Sequence, residues 1–402
     1  MRRLNSHYTT WQDIFFAVGM IDRKTFLELA DIHIPHCVSI YMYFEEPEKN
    51  RVTLKNSISN AEKKLKEAYG LDPKTLDKKL RPLSSRLEDP EWLESRHKSV
   101  AAFIYDKELN VYEFDNLKFE DKVVVSDHLF LLPLASILHL DKEFYFLTLS
   151  SEKVKLYHIS MNTITESPIS SRLPDNINDV VGYDVEQKSL QFRSGQEGTG
   201  EGMFHGQGSG AEEEKKQEYE VFFREVDKKL NSNVDNTSIP LIIGCVEFLY
   251  PIYKSVNSYP NLWKKYAQGN FDKAENKELK EVSEKILSDM IRMDYQKATD
   301  EFEKFLSKGK ASYGIGDIIP SAIEGRIDSL IIQKDKDIFG RYNPSENKVE
   351  VDQVEKTDNT SLLNKAAIKT IAHDGNVYIV DEDDLPVKES EVNAVYRYSH
   401  RE

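Results

Sequence analysis

From Cys37 to Phe44 the chain runs Cys-Val-Ser-Ile-Tyr-Met-Tyr-Phe, a short, mostly apolar stretch that predicts a buried strand. Polarity then changes period. Between Val52 and Tyr69 the apolar positions Leu54, Ile58, Ala61, Leu65 and Ala68 fall three or four apart among charged residues, which predicts an amphipathic helix. Short apolar runs at Val100–Tyr105, Val111–Phe114 and Val123–Val125 read as further strands. This first α/β segment closes near Leu138.

A second segment opens with two β-rich runs, Phe144–Ser150 and Val154–His158, separated by the turn-like Ser151-Glu-Lys, which predicts a hairpin. Helical spacing returns after residue 210. Between Ala211 and Leu230 the residues Tyr219, Phe222, Phe223, Val226 and Leu230 share one face, with Glu212, Glu213 and Glu214 in the first turn, where the helix dipole favours acids. Ile239–Gly244 then reads as a strand leading into a helical Val246–Tyr253, a β-to-α crossover. Phe144–Phe146 and Phe248–Tyr253 are expected in the core, because both lie on elements that must bury a face.

A long polar helix over Asn276–Leu306 leads to a third segment. It alternates Ile318–Glu324, Ile327–Ile332, Leu362–Ala372, Val377–Val380 and Ala394–Tyr398. Gly325 and Gly375 each stand between a helix and a strand, as helix C-caps do, and 343–360 reads as a polar loop or an exposed hairpin. The pattern as a whole is α/β: a three-domain chain of mixed units, with expected boundaries at 1–138, 139–290 and 291–402.

Composition narrows the classes. A hydrophobic share of 39% in 402 residues supplies several cores, so a globular protein is expected and not wholesale disorder. Two cysteines, Cys37 and Cys245, exclude a disulfide framework and a cysteine-rich zinc site, and suit a reducing compartment. No signal core and no run of eighteen apolar residues is present, so the expected setting is cytoplasmic and away from membranes. The net charge of −15 opposes non-specific binding of nucleic acid.

Candidate chemistry concentrates in one stretch. Seven of eighteen glycines, Gly195, Gly198, Gly200, Gly202, Gly206, Gly208 and Gly210, lie within sixteen residues around His205-Gly206-Gln207-Gly208. Such a backbone reaches positive φ and approaches another molecule closely. A glutamine amide both donates and accepts, so Gln207 is suited to orienting a water toward an already reactive ester. By composition alone the run describes a surface loop of Gly, Ser and Glu before it describes a site. Glu197, Glu201, Glu212, Glu213 and Glu214 could be read as general bases or as a solvated helix cap. His33-x-x-His36-Cys37 has metal-ligating residue types but no second half, and no Walker loop, nucleophile elbow or dinucleotide fingerprint occurs, so no metal or cofactor is expected.

Several stretches, in this order, resemble a family. They are Cys37–Tyr43 with Arg51-Val-Thr-Leu-Lys-Asn56, Phe144–Ser150 with Val154–His158, and Ser189-Leu-Gln-Phe-Arg193 leading to Phe204-His-Gly-Gln-Gly208. Later come Gly244-Cys-Val-Glu-Phe-Leu-Tyr-Pro-Ile-Tyr253, Glu324-Gly-Arg-Ile-Asp-Ser-Leu330, Asn364-Lys-Ala-Ala-Ile-Lys-Thr370 and Ala394-Val-Tyr-Arg-Tyr398. The chain resembles the bacterial branch of the archaeo-eukaryotic release factors and their Pelota-like cousins, most of all its third named family. The resemblance implies a release-factor or Pelota-like architecture whose middle domain carries a catalytic Gly-Gly-Gln loop and whose last domain is like kink-turn-binding ribosomal proteins. It further implies the ribosome and peptidyl-tRNA as partners, with a translational GTPase as a possible one. Carried over by motif, Gly206 and Gln207 take the second and third positions of Gly-Gly-Gln, with Gly208 following.

Two departures are visible. His205 stands where the motif has its first glycine, and the following helix opens Ala211-Glu-Glu-Glu. They leave two expectations: hydrolysis of the peptidyl-tRNA ester through Gln207, or non-catalytic occupation of the tRNA-entry site of idle or damaged ribosomes. An RNA-processing or interaction protein that never meets the ribosome is a third.

Overall fold

A computed structural model describes residues 21–106, 108–115, 118–138, 142–160, 163–182 and 209–398. It is a mixed α/β protein whose chain divides into two compact units. One combines Met1–Asp141 with Ser288–Glu402, and the other is Lys142–Leu287.

In the first unit, α1 (Arg23–Ala30) starts at Asp22, whose carboxylate accepts from the Thr25 N–H. Strand β1 (His33–Phe44) follows, then α2 (Pro47–Tyr69) and α3 (Pro73–Ser84). Strands β2 (Lys98–Tyr105), β3 (Glu108–Asp115) and β4 (Lys122–His128) complete an antiparallel sheet in the order β3-β2-β1-β4. As the central strand, β1 is buried from Cys37 to Met42, as its apolar run predicts. Its even positions Val38, Ile40, Met42 and Phe44 pack with Leu54, Ala61 and Leu65 of α2 and Leu76, Leu80 and Leu83 of α3. Its odd positions face a different layer. The Tyr41 hydroxyl donates to the Phe130 carbonyl at 2.6 Å, and the Phe130 N–H donates to Ser39 Oγ at 2.9 Å.

Residues of the second unit form β5 (Glu143–Leu149), β6 (Val154–Ser160), β7 (Thr163–Glu166), α4 (Ser209–Asn233), β8 (Leu241–Cys245), α5 (Leu249–Val256) and β9 (Ala267–Gln268). The sheet order is β7-β6-β5-β8-β9, with antiparallel pairing from β7 to β5 and parallel pairing from β5 to β9. Helix α6 (Asn276–Leu306) spans the residues at which the second unit ends and the first resumes.

The remainder of the first unit contains β10 (Ala311–Ser312), α7 (Ile315–Ile323), β11 (Ile327–Gln333), β12 (Phe339–Asn343), β13 (Lys348–Asp352), β14 (Thr360–Ser361), α8 (Leu362–Ala372), β15 (Asn376–Val380) and β16 (Val392–Tyr396). One sheet has the order β10-β16-β11-β15, with β11 and β15 parallel across the α8 crossover. A second, β13-β12-β14, realises the hairpin alternative read for residues 343–360, with β12 beginning four residues earlier.

The two glycines expected as helix caps part company. Gly325 adopts φ +71° after α7, with its N–H donating to the Ala322 carbonyl and that of Arg326 to Ser321, a Schellman closure. After α8 the left-handed position belongs to Asp374 (φ 58°), and Gly375 is the residue beyond it, donating to the Thr370 carbonyl at 2.8 Å. Gly375 is needed for space instead: a Cβ there would lie 2.5 Å from Thr370 Cγ2 and 2.8 Å from the Ile327 carbonyl oxygen.

Candidate functional site

His205, Gly206, Gln207 and Gly208 lie outside the described residues, as do Glu197 and Glu201. The frame that flanks them is described on both sides. On the entering side, Ser170 ties the segment after β7 back onto β6: its Oγ accepts from the Leu156 N–H at 2.8 Å and donates to the Leu156 carbonyl at 3.0 Å. The Ile177 N–H then donates to the Ser151 carbonyl at 3.0 Å, which fixes this stretch at the turn after β5. Val180 and Val181 pack against the unit's apolar cluster, and the described chain pauses at residue 182.

It resumes at Ser209 as the start of α4. The aromatic stripe read from the sequence is buried throughout: Tyr219, Phe222, Phe223, Val226 and Leu230 lie in one cluster with Leu147, Leu156, Leu241 and Ile243 of the sheet. The Tyr219 ring meets Phe248 edge-on at 5.7 Å, and Phe248 lies just beyond the carboxyl end of β8. Tyr219, ten residues into α4, therefore stands near the carboxyl end of β8, while residue 177 stands at the carboxyl end of β5. Those strands are parallel neighbours, and the chain leaves them in opposite directions, to β6 from one and to β9 from the other. Residues 182 and 209, the described neighbours of the glycine-rich stretch in sequence, both belong to this unit.

A carboxylate fixes the far half of α4. Asp227, 3% exposed, accepts from the Tyr253 hydroxyl at 3.3 Å, the Ser258 N–H at 3.0 Å and the Ser258 hydroxyl at 2.5 Å. Three donors compensate the burial of one charge and join α4 to α5 and the loop after it. Burial first, then Asp227, pushes the Tyr253 phenol well above its ordinary range, so it stays a neutral donor. Sequence reasoning did not single out Asp227; the available signal was an acid set within an apolar stripe.

The expectation of core residues over Phe248–Tyr253 holds for Leu249, Ile252 and Tyr253 but not for Phe248, which is 53% exposed. A residue opening a helix at a strand's carboxyl end has the sheet on one side and solvent on the other. Close by, Tyr250 and Tyr266 stack at 4.3 Å and 15°. The rim beside the carboxyl end of β8 is accordingly aromatic. Glu213 and Glu214 are exposed on the first turns of α4, consistent with a solvated acidic start.

The second group read from the sequence is not gathered. His36 packs edge-on against Tyr69, the Cys37 thiol donates to the Ile34 carbonyl at 3.1 Å, and the His33 ring is 6.3 Å from that of His128. Among the described residues no three His, Cys, Asp or Glu side chains are placed to hold a metal ion. Burial raises the Cys37 thiol and pushes Cys245 up to about 12, so both remain protonated thiols at neutral pH.

Residues 144–289, just over a third of the chain, match the model of Bacterial archaeo-eukaryotic release factor family 7. The group read from the sequence is the group matched. The matching family is the seventh, where the sequence reading pointed to the third. None of the curated proteins matches the chain. Among solved structures, the chain is similar to Pelota from Archaeoglobus fulgidus (13% identity, 75% of this chain and 81% of that one, TM-score 0.34). It is similar also to an archaeal translation termination factor, aRF1 (12%, 94% and 99%, TM-score 0.22). A third is Saccharomyces cerevisiae Dom34, a translation termination-like factor (10%, 76% and 81%, TM-score 0.31). Among the described residues no helix is long and apolar enough to cross a membrane.

Proposed function

We propose that the protein is a ribosome-associated release or rescue factor that hydrolyses the peptidyl-tRNA ester through the loop His205-Gly206-Gln207-Gly208. The observation that carries this reading is the match of residues 144–289 to a bacterial release-factor family, because that span contains the loop and both of its roots. In this reading the sheet and α4 are a stand: the buried aromatic stripe with Asp227 fixes the helix that follows the loop in sequence. Gln207 orients a water toward the ester carbonyl, while Gly206 and Gly208 let the backbone come close enough for an N–H to face the developing oxyanion. A translational GTPase as the delivering partner belongs to the same reading.

The acidic, exposed start of α4 and a side chain at His205 favour a second reading, in which the protein occupies the tRNA-entry site without chemistry. Release of labelled peptide from stalled ribosome complexes separates the two. Catalysis predicts release by the native protein and a loss on the order of a hundredfold or more in Gln207→Ala with ribosome binding retained. Absence of release by both proteins, with co-sedimentation intact, retires the catalytic assignment in favour of occupancy; no co-sedimentation retires both.

A further inference from the structure

Outside the loop, the described residues of this acidic chain include a cationic cleft of about 360 Å3 on the first unit. It is lined by His36, Leu71, Lys74, Thr75, Lys78, Lys79 and Asp106, and its size falls at the low end of that of small-molecule sites. Lys74, Thr75, Lys78 and Lys79 come from one face of α3, at the spacing that makes side chains neighbours on a helix. Lys74 and Lys78 stand four apart, an arrangement in which like charges repel.

The carboxylates of α3 and its cap do not relieve that repulsion. Asp72 accepts from the Lys74 and Thr75 N–H groups and the Thr75 hydroxyl, and Asp77 is engaged by Arg81 at 2.5 Å. Among the described residues no carboxylate forms an ion pair with Lys74, Lys78 or Lys79. Asp106 is the only acid lining the cleft.

Opposite α3, the wall is built at a cost. The pairing of β1 with β4 shifts register between His33 and Cys37, and within that irregularity His36 holds φ at 62°, a left-handed conformation uncommon outside glycine. Such strain persists where surrounding structure enforces it, and it clusters at binding sites. Burial, and then Lys79, lower the His36 pKa, so the ring is a neutral hydrogen-bonding group at pH 7. Lys79 is half-buried, and that burial lowers its own pKa.

We infer that this cleft binds a phosphate monoester, its dianion set among Lys74, Lys78 and Lys79 with the Thr75 hydroxyl and the His36 ring as neutral partners. Three ammonium groups against one carboxylate leave a surplus that matches the charge of a phosphate monoester near neutral pH. A diester, with one charge and no terminal oxygen triad, matches it less well. The source of the group is either a small phosphorylated metabolite or the 5′ end of an RNA chain.

Isothermal titration calorimetry on the full chain at low salt tests this, with adenosine 5′-monophosphate against adenosine and a 5′-phosphorylated against a 5′-hydroxyl oligoribonucleotide. Saturable binding of the monophosphate but not of adenosine is expected. Preference for the phosphorylated oligonucleotide over the monophosphate assigns the source to an RNA end, and the reverse to a free metabolite. Lys74→Gln with Lys78→Gln, both exposed, is expected to weaken binding tenfold or more, while the remote Lys297→Gln leaves it unchanged. Asp106→Asn tolerates the left-handed backbone at that position (φ 50°) and is expected to tighten binding several-fold. Equal binding of adenosine, equal binding of the 5′-hydroxyl oligonucleotide, or affinity indifferent to both variants overturns the assignment.

Discussion

In the middle unit, α4 is held to its sheet by Tyr219, Phe222, Phe223, Val226 and Leu230, all in a single apolar cluster. In the other unit, α8 is joined to residues 129–131 by an amide: Asn364, fully buried, accepts from the Leu131 N–H at 2.8 Å and donates to the Leu129 carbonyl at 3.1 Å. The first device is non-directional and insensitive to a small slide of the helix. The second has a single register, because an amide displaced by an ångström leaves two buried backbone groups without partners. The unit assembled from two distant stretches of sequence sets its amide at the join between them, whereas in the continuous unit the contact of α4 with its sheet is apolar and the buried carboxylate Asp227 ties α4 to α5 and the loop after it.

Removing the largest piece of that area tests the apolar half of the comparison. Phe222→Ala is expected to destabilise the middle unit by about 3–5 kcal/mol, the range for truncating a buried aromatic. Trp263 belongs to that unit and Trp92 to the other, so fluorescence of single-tryptophan variants reads the units apart. The Trp263 transition should move and the Trp92 transition should stay. Concerted movement of both would mean that the units do not unfold separately.

The polar half is tested by Asn364→Ala. It orphans the Leu131 N–H and the Leu129 carbonyl, and is expected to cost about 2–4 kcal/mol, read by Trp92. Asn364→Leu should cost as much despite its added apolar surface. If leucine restores stability, Asn364 supplies volume and not register.

A third variant concerns a carboxylate in the same unit. Asp337 is half-buried with its side chain 9% exposed; it accepts from the Ser361 hydroxyl at 2.5 Å and the Ile338 N–H at 2.9 Å, and has Lys122 only at 3.7 Å. Burial outweighs these partners and raises its pKa. A carboxyl whose folded pKa lies above its unfolded value contributes stability at acid pH, and that contribution is lost as pH rises through the folded value. Asp337→Asn, which cannot ionise, should therefore gain on the native protein as pH climbs from 4 to 7, by about 1 kcal/mol or less. A gain that grows toward acid pH would show that Lys122 dominates instead.

How much of this was legible follows from the range of each interaction. The α4 stripe and the β1 run are periodicities, so Phe222 and Ile40 announced their burial. Helix α3 escaped notice because its apolar residues Leu76, Leu80 and Leu83 sit among lysines with Pro82 in the last turn, and β7 did so because Thr-Ile-Thr-Glu is a polar edge strand. Asn364 and Asp227 act on partners more than twenty residues away, and no local pattern encodes them. The glycine-rich stretch was conspicuous by composition, whereas the parallel pairing of β5 with β8 in the sheet of the same unit is a contact that no local pattern encodes.

The smallest expected effect belongs to the ion pair Lys64–Glu355. It also bridges the two sequence stretches of the first unit, at 2.7 Å, but both side chains are more than a third exposed. Water and salt screen such a pair, and ordering two long side chains offsets what remains, so its coupling should be about 1 kcal/mol or less. A double-mutant cycle with Lys64→Ala and Glu355→Ala measures it free of each residue's other contacts. Against Asn364 the contrast is then direct. Both join the same two stretches, and burial, not distance along the chain or formal charge, decides which of them holds the unit together. A coupling that approached the cost of Asn364→Ala and survived high salt would remove that distinction.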